Sequence, residues 1–269
     1  MKSKMQILHK ELSYSVTGCV FDVFREIGIG FDEYTYHQGL MLRFQKEGLP
    51  FRSKPHIKLY YRDNEIADLE PDFVVDEAIV LELKAIQTDF LPENYTQIIS
   101  YLRAAGKRLG ILVNFGLLKA KVERIPFDER PLRIAEDFDE VLPVAQEYRE
   151  EFWHLRNSIM AIGTELRLGY HAQIYQAAMA VELRLAGMEC RKHVEVPVNF
   201  ENTLINNYEI DYWLINQRVL LAVLAGSGQV RAYDVVRMRS YLRKLNLDVG
   251  LIAFWSKDHL KILGVGPKH

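Results

Sequence analysis

Ile79-Val80-Leu81-Glu82-Leu83-Lys84-Ala85 is an apolar run of strand length with two charges in its interior. Charge inside such a run is costly unless something needs it. Glu82 and Lys84 are two apart, so on a strand both side chains leave one face while Leu81 and Leu83 leave the other. Asp76-Glu77 just upstream is a turn signal, and a tight hairpin through it brings Asp72 opposite or diagonal to Glu82. Two carboxylates at that range repel unless one is protonated or a cation lies between them. Hard oxygen ligands favour Mg2+ or Mn2+ over zinc, and such an ion can activate a water beside a phosphate. Lys84 would sit beside the ion and orient, or help deprotonate, that water.

Outward from this run the chain alternates between helical and strand periodicity. Leu12, Val16, Val20, Val23 and Ile27 are spaced by three or four, which predicts an amphipathic helix broken at Gly28 to Gly30. A second helix is expected from Glu33 to Glu47, ended by Gly48. Strands are expected over Ile57–Arg62, Ile66–Val75 and Ile79–Ala85, with Asp63-Asn64 and Asp76-Glu77 as turns. A helix from Tyr95 to Ala105 then leads to the apolar strand Leu109–Asn114, with a short last strand near Lys121–Ile125. Helices flanking a small mixed sheet make the fold class α/β (α+β mixed sheet), with the later strand reached by a crossover. Gln97 and Tyr101 lie one helical turn apart on one face, placed to hold a phosphate or the strand near the metal. Glu33 opens its helix, where the dipole favours an acid in any case; it could also reach the metal shell through water.

The same pattern occurs twice. Gly30-Phe31-Asp32-Glu33-Tyr34-Thr35-Tyr36 matches Gly169-Tyr170-His171-Ala172-Gln173-Ile174-Tyr175 at an offset of 139 (169 − 30). Ser100-Tyr101-Leu102-Arg103 recurs unchanged as Ser240-Tyr241-Leu242-Arg243 at an offset of 140 (240 − 100), and Gly110–Phe115 is answered by Gly250–Trp255. Three blocks in order point to a duplication. The change of offset places a one-residue insertion, expected at a turn after Asp211. The expected domains are 1–135 and 136–269, joined in the proline-marked stretch from Pro126 to Pro143. The second copy keeps Asp211 and Tyr241 but has Ala172 for Glu33, Ala222 for Glu82, Leu224 for Lys84 and Arg237 for Gln97. A lone Asp holds a hard divalent ion poorly, so no catalytic metal is expected there. Persistence of the tyrosine in both copies speaks for packing as well as catalysis.

Composition narrows the partners. A net charge of −2 argues against broad electrostatic affinity for nucleic acid, although a small acidic, metal-filled site remains compatible with it. Two cysteines, Cys19 and Cys190, exclude a four-cysteine cluster within the chain, and both are expected to be buried thiols of a reducing compartment. None of the eight histidines forms a spaced metal pair. The opening Met1–Gln6 has no continuous apolar segment, and Val219–Ala225 is far too short to cross a bilayer. A cytoplasmic protein without a membrane partner is the expectation.

These residues resemble the GxxExxY proteins of the PD-(D/E)xK nuclease superfamily, with Gly30, Glu33 and Tyr36 as the naming motif. Pro71-Asp72 followed by Glu82-Leu83-Lys84 resembles that superfamily's metal-site signature. Gln97-Ile98-Ile99-Ser100-Tyr101 is similar to the QxxxY motif of RecB-type exonucleases, and Leu109–Phe115 to the family's GLLINF-like strand. The resemblance implies two tandem restriction-endonuclease-like domains, the first intact and the second degenerate. It implies that Asp72, Glu82 and Glu33 bind Mg2+ or Mn2+, with the Leu83 carbonyl as an extra ligand. Lys84 would assist the water, and Gln97 and Tyr101 would position substrate. The expected function is metal-dependent hydrolysis of phosphodiester bonds in nucleic acid, DNA in preference to RNA. The alternative is a non-catalytic nucleic-acid- or protein-binding module that retains a remnant site. A monomer with the two repeats as an internal pseudo-dimer is expected.

Overall fold

The computed structural model describes residues 8–226 and 228–267; the opening Met1–Gln6 lies outside them. In the first repeat, α1 (Lys10–Ile27) buries Val16, Cys19, Val20 and Val23 along one stripe. The next helix, α2 (Glu33–Glu47), is capped by Asp32, whose carboxylate accepts from the Thr35 N–H at 2.9 Å. Gly48, left-handed at φ 66°, ends it. Then follow β1 (Phe51–Ser53), β2 (Ile57–Tyr61), β3 (Asn64–Leu69), β4 (Phe73–Val75), β5 (Ile79–Lys84), α3 (Pro92–Ala105), β6 (Leu109–Asn114) and β7 (Lys121–Pro126). The main sheet is five-stranded in the order β1-β4-β5-β6-β7, and β2 and β3 form a separate two-stranded hairpin. Only β5 and β6 are parallel in the main sheet, and α3 is the crossover between them.

The parity read from the central run holds. Leu81 and Leu83 pack with Val20, Tyr36, Leu40 and Phe44 in the core beneath α1 and α2. Glu82 faces the other way, toward the side covered by α3, where a Cβ on Gly110 would meet Ile98 at 2.6 Å. Gly110 is thus the gap into which α3 fits.

The expected strand Ile66–Val75 is interrupted, with β3 ending at Leu69 and β4 starting at Phe73. Pro71 lacks the N–H a ladder needs, and Pro55 breaks the facing stretch between β1 and β2 in the same way. In the second repeat their counterparts are Ile210 and Val194, which are registered partners. The result there is one continuous hairpin of β9 (Cys190–Phe200) and β10 (Thr203–Ile215).

The second repeat runs β8 (Ile134–Asp137), α4 (Arg149–Leu166), α5 (Ala172–Leu185), β9, β10, β11 (Val219–Ala225), α6 (Ala232–Leu245), β12 (Val249–Trp255) and β13 (Leu260–Val265). Its six-stranded sheet has the order β8-β13-β12-β11-β10-β9, again with a parallel pair, β11 and β12, linked by a crossover helix. The stretch expected to join the copies is therefore partly structured, since β8 adds a parallel edge strand to β13. The inserted residue does not sit in a turn. It is a β-bulge inside β10, where the register shifts between Ile210 and Trp213.

Contacts divide the chain into two units, one made of the chain up to Leu59 plus Ala67–Glu129, the other of Tyr60–Ile66 plus the chain from Arg130 on. Among the described residues no helix is long and apolar enough to cross a membrane. Cys19 is buried as expected, but Cys190 is exposed because it begins the edge strand β9.

Candidate active site

The site is assembled from β5, the segment before β4, and the facing helix α3. Because Phe73 is registered with Leu81, Asp72 stands one step before the ladder, next to the end of β5. Its carboxylate accepts from the Leu83 N–H at 2.7 Å. Pro71 causes this placement, since the break it imposes turns Asp72 from a ladder residue into one whose side chain binds the neighbouring strand.

Glu82 is almost fully buried, at 3% exposure. One carboxylate oxygen accepts from the Lys84 ammonium at 2.7 Å; the other is buried and has no hydrogen-bond partner. Burial first, and then the charge of Asp72, push the Glu82 carboxyl up to about 8, with Lys84 pulling the other way. Burial works against the Lys84 ammonium, but the carboxylates of Glu82, Glu33 and Asp72 outweigh it and raise its pKa. Glu33 is exposed at the start of α2, and its carboxylate accepts from the Ala85 N–H at 3.3 Å. Gln97 donates to the Tyr101 hydroxyl at 2.9 Å. Burial, then the charge of Glu82, push that phenol up to about 12, so it keeps its proton at neutral pH.

Asp72, Glu82, Lys84, Gln97 and Tyr101 are thus brought together, with Glu33 reaching the chain just past Lys84. Among the described residues no group of three or more His, Cys, Asp or Glu side chains is arranged to hold a metal. The pair Asp72 and Glu82 nevertheless fits a cation. A buried carboxylate oxygen without a partner, beside a second carboxylate that disfavours its ionisation, is the arrangement a positive ion relieves.

Two further residues support this geometry. His37, buried on α2, has Nε2 3.3 Å from the Asp72 carbonyl oxygen and 3.2 Å from Ser53 Oγ, and its ring stacks on Phe73 at 4.2 Å. It holds the main chain that carries Asp72. The signal available was its place four residues after Glu33 on one helix face. Asn114, registered beside Lys84, donates to the Thr88 carbonyl at 2.9 Å and accepts from Ile86 and Gly116 N–H groups at 3.1 and 2.9 Å. That amide pins the loop after Lys84.

The second unit separates structure from chemistry in the shared motif. Gly30 and Gly169 both have positive φ, 98° and 108°, so glycine is needed for the turn. Tyr36 and Tyr175 are both fully buried. Glu33, whose counterpart is Ala172, is the motif position that changes. Around the surviving Asp211, Lys192 stands where the first unit has Ser53, with its ammonium 3.1 Å from the carboxylate. Gln176, in the place of His37, donates to Asp211 at 3.1 Å and accepts from Lys192 at 3.1 Å. A lysine supplies the positive charge beside the acid.

No curated protein matches the chain. A family model described as the PD-(D/E)XK nuclease superfamily matches residues 10–125 and again residues 150–262. The two matched segments correspond to the two repeats, as a tandem duplication requires, and cover more than half of the sequence. The chain belongs to the PD-(D/E)XK nuclease superfamily.

Proposed function

We propose that the first repeat (residues 1–135) is a divalent-metal-dependent nuclease domain and that the second (136–269) is its degenerate copy. The observation that carries the reading is the buried, unpartnered oxygen of Glu82 beside Asp72 and Lys84. Asp72 and Glu82, with the Leu83 carbonyl, would hold Mg2+ or Mn2+, and Glu33 would join through water. The ion would supply positive charge that lowers the pKa of a water and offsets charge building on the phosphate.

The chain's own residues do the rest. Lys84, held by Glu82, orients the attacking water at its Nζ. The water oxygen forms a bond to phosphorus as its proton leaves to solvent, the P–O bond to the leaving alkoxide breaks, and that alkoxide takes a proton from solvent. Tyr101, kept protonated, and Gln97 hold the phosphate by donating hydrogen bonds. DNA is the proposed substrate because the Gln97–Tyr101 pair resembles the QxxxY helix of RecB-type exonucleases. Glu33 and its flanking glycine and tyrosine support placement near the GxxExxY proteins. A chain that already carries two copies of the unit is expected to be a monomer by light scattering.

Metal titration followed by melting temperature tests the reading. Mg2+ or Mn2+ should raise the melting temperature of the wild type and not that of Glu82→Ala, because a ligand stabilises only the state that binds it. Cleavage of labelled DNA should follow the same split. Equal responses of the two proteins would sink the proposal and favour a binding module with a remnant site.

A further inference from the structure

The face of the second unit that corresponds to the first unit's site has become basic and aromatic. Arg237 replaces Gln97, Tyr233 replaces Glu93, and Tyr208 replaces Leu69. The Arg237 guanidinium lies 5.4 Å from the ring centroid of Tyr233 and 5.6 Å from that of Tyr212, while Tyr241 meets Tyr212 edge-on at 5.6 Å. Tyr233 and Tyr208 are 66% and 54% exposed.

The charges also favour an anion. Buried Asp234 accepts from Arg231 at 2.9 and 3.1 Å and from Arg237 at 3.0 Å. Two guanidiniums share that one carboxylate. Lys192 neutralises Asp211, the one acid surviving from the ancestral set, which would otherwise repel a phosphate.

We propose that this face of the second unit binds single-stranded nucleic acid without metal, with Arg237 on a phosphate and Tyr233 and Tyr208 stacked on bases. Exposed rings flanking a cation are what an unpaired strand needs, because its bases offer free π-faces that a duplex hides. The choice of nucleic acid rests on the proposed nuclease reading.

Fluorescence anisotropy of the full chain with a labelled oligothymidine in EDTA tests it. The wild type should bind, and Tyr233→Ala, at an exposed position, should weaken binding roughly fivefold, the low end of one stacked base. Arg237→Gln, which installs the first unit's residue, should weaken binding and flatten its salt dependence. Tyr14→Ala, which removes an exposed ring on α1 of the first unit, should bind as the wild type does. The proposal is overturned by no binding in EDTA, by wild-type affinity in both Tyr233→Ala and Arg237→Gln, by equal competition from a duplex, or by loss of binding in Tyr14→Ala. Binding in EDTA without any metal-dependent cleavage would sink the nuclease reading and leave this one standing; cleavage without binding in EDTA would do the reverse.

Discussion

The Tyr36 ring stacks on Phe115 with centroids 4.3 Å apart and planes 6° from parallel, and its hydroxyl donates to the Gly28 carbonyl at 2.8 Å. The pair recurs in the second unit as Tyr175 on Trp255, at 4.5 Å and 12°, with the Tyr175 hydroxyl donating to the Arg167 carbonyl at 2.9 Å. Gly28 and Arg167 share an unusual backbone, φ 83° and 64° with ψ −158° in both. One tyrosine thus ties the end of the first helix of each copy to the central sheet.

Tyr36→Phe should therefore lower stability by about 1 kcal/mol, one net hydrogen bond. Tyr36→Ala should cost roughly 3–5 kcal/mol through the cavity it leaves. Urea unfolding should show the first as a shifted midpoint at an unchanged slope. A Tyr36→Phe protein as stable as the wild type would remove the helix tie from the account.

Glu82 gives a pH dependence with a definite sign. Its carboxyl titrates near 8 when folded, against an ordinary value of 4.5. The folded, metal-free protein therefore binds an extra proton between those values. This group's contribution to stability is fully present below about 4.5 and is lost as pH rises through 8. Melting curves in EDTA should fall over that window, and Glu82→Gln, uncharged throughout, should fall less. Parallel curves for the two proteins would refute the assignment. Added Mg2+ should diminish the fall, because a cation favours the carboxylate.

Ile210→Pro would place in the second unit what Pro71 does in the first. In the first unit the ladder already ends there; in the second, Ile210 is paired with Val194 in a continuous hairpin. The substitution removes a ladder N–H and should cost roughly 1–3 kcal/mol, the penalty of leaving a buried backbone group unsatisfied. Hydrogen exchange should accelerate on both sides of the bulge in β10 and in facing β9, and unchanged protection there would contradict the register.

Self-comparison of the chain was enough to reveal the duplication. Local periodicity revealed the two N-terminal helices, the central strand and the parity that puts Glu82 and Lys84 on one face, because each of these depends on residues a few positions apart. The break at Pro71 was legible in kind, since proline cannot donate to a ladder, yet the strand was read through it because Ile66–Val75 otherwise looks continuous. What tertiary structure alone decided is how distant residues meet. His37 supports the Asp72 main chain across 35 positions, and Lys192 and Gln176 converge on Asp211. The unpartnered oxygen of Glu82 and the ring of tyrosines around Arg237 belong to the same class. Burial and charge pairing are set by the path of the whole chain, and no spacing within one segment encodes them.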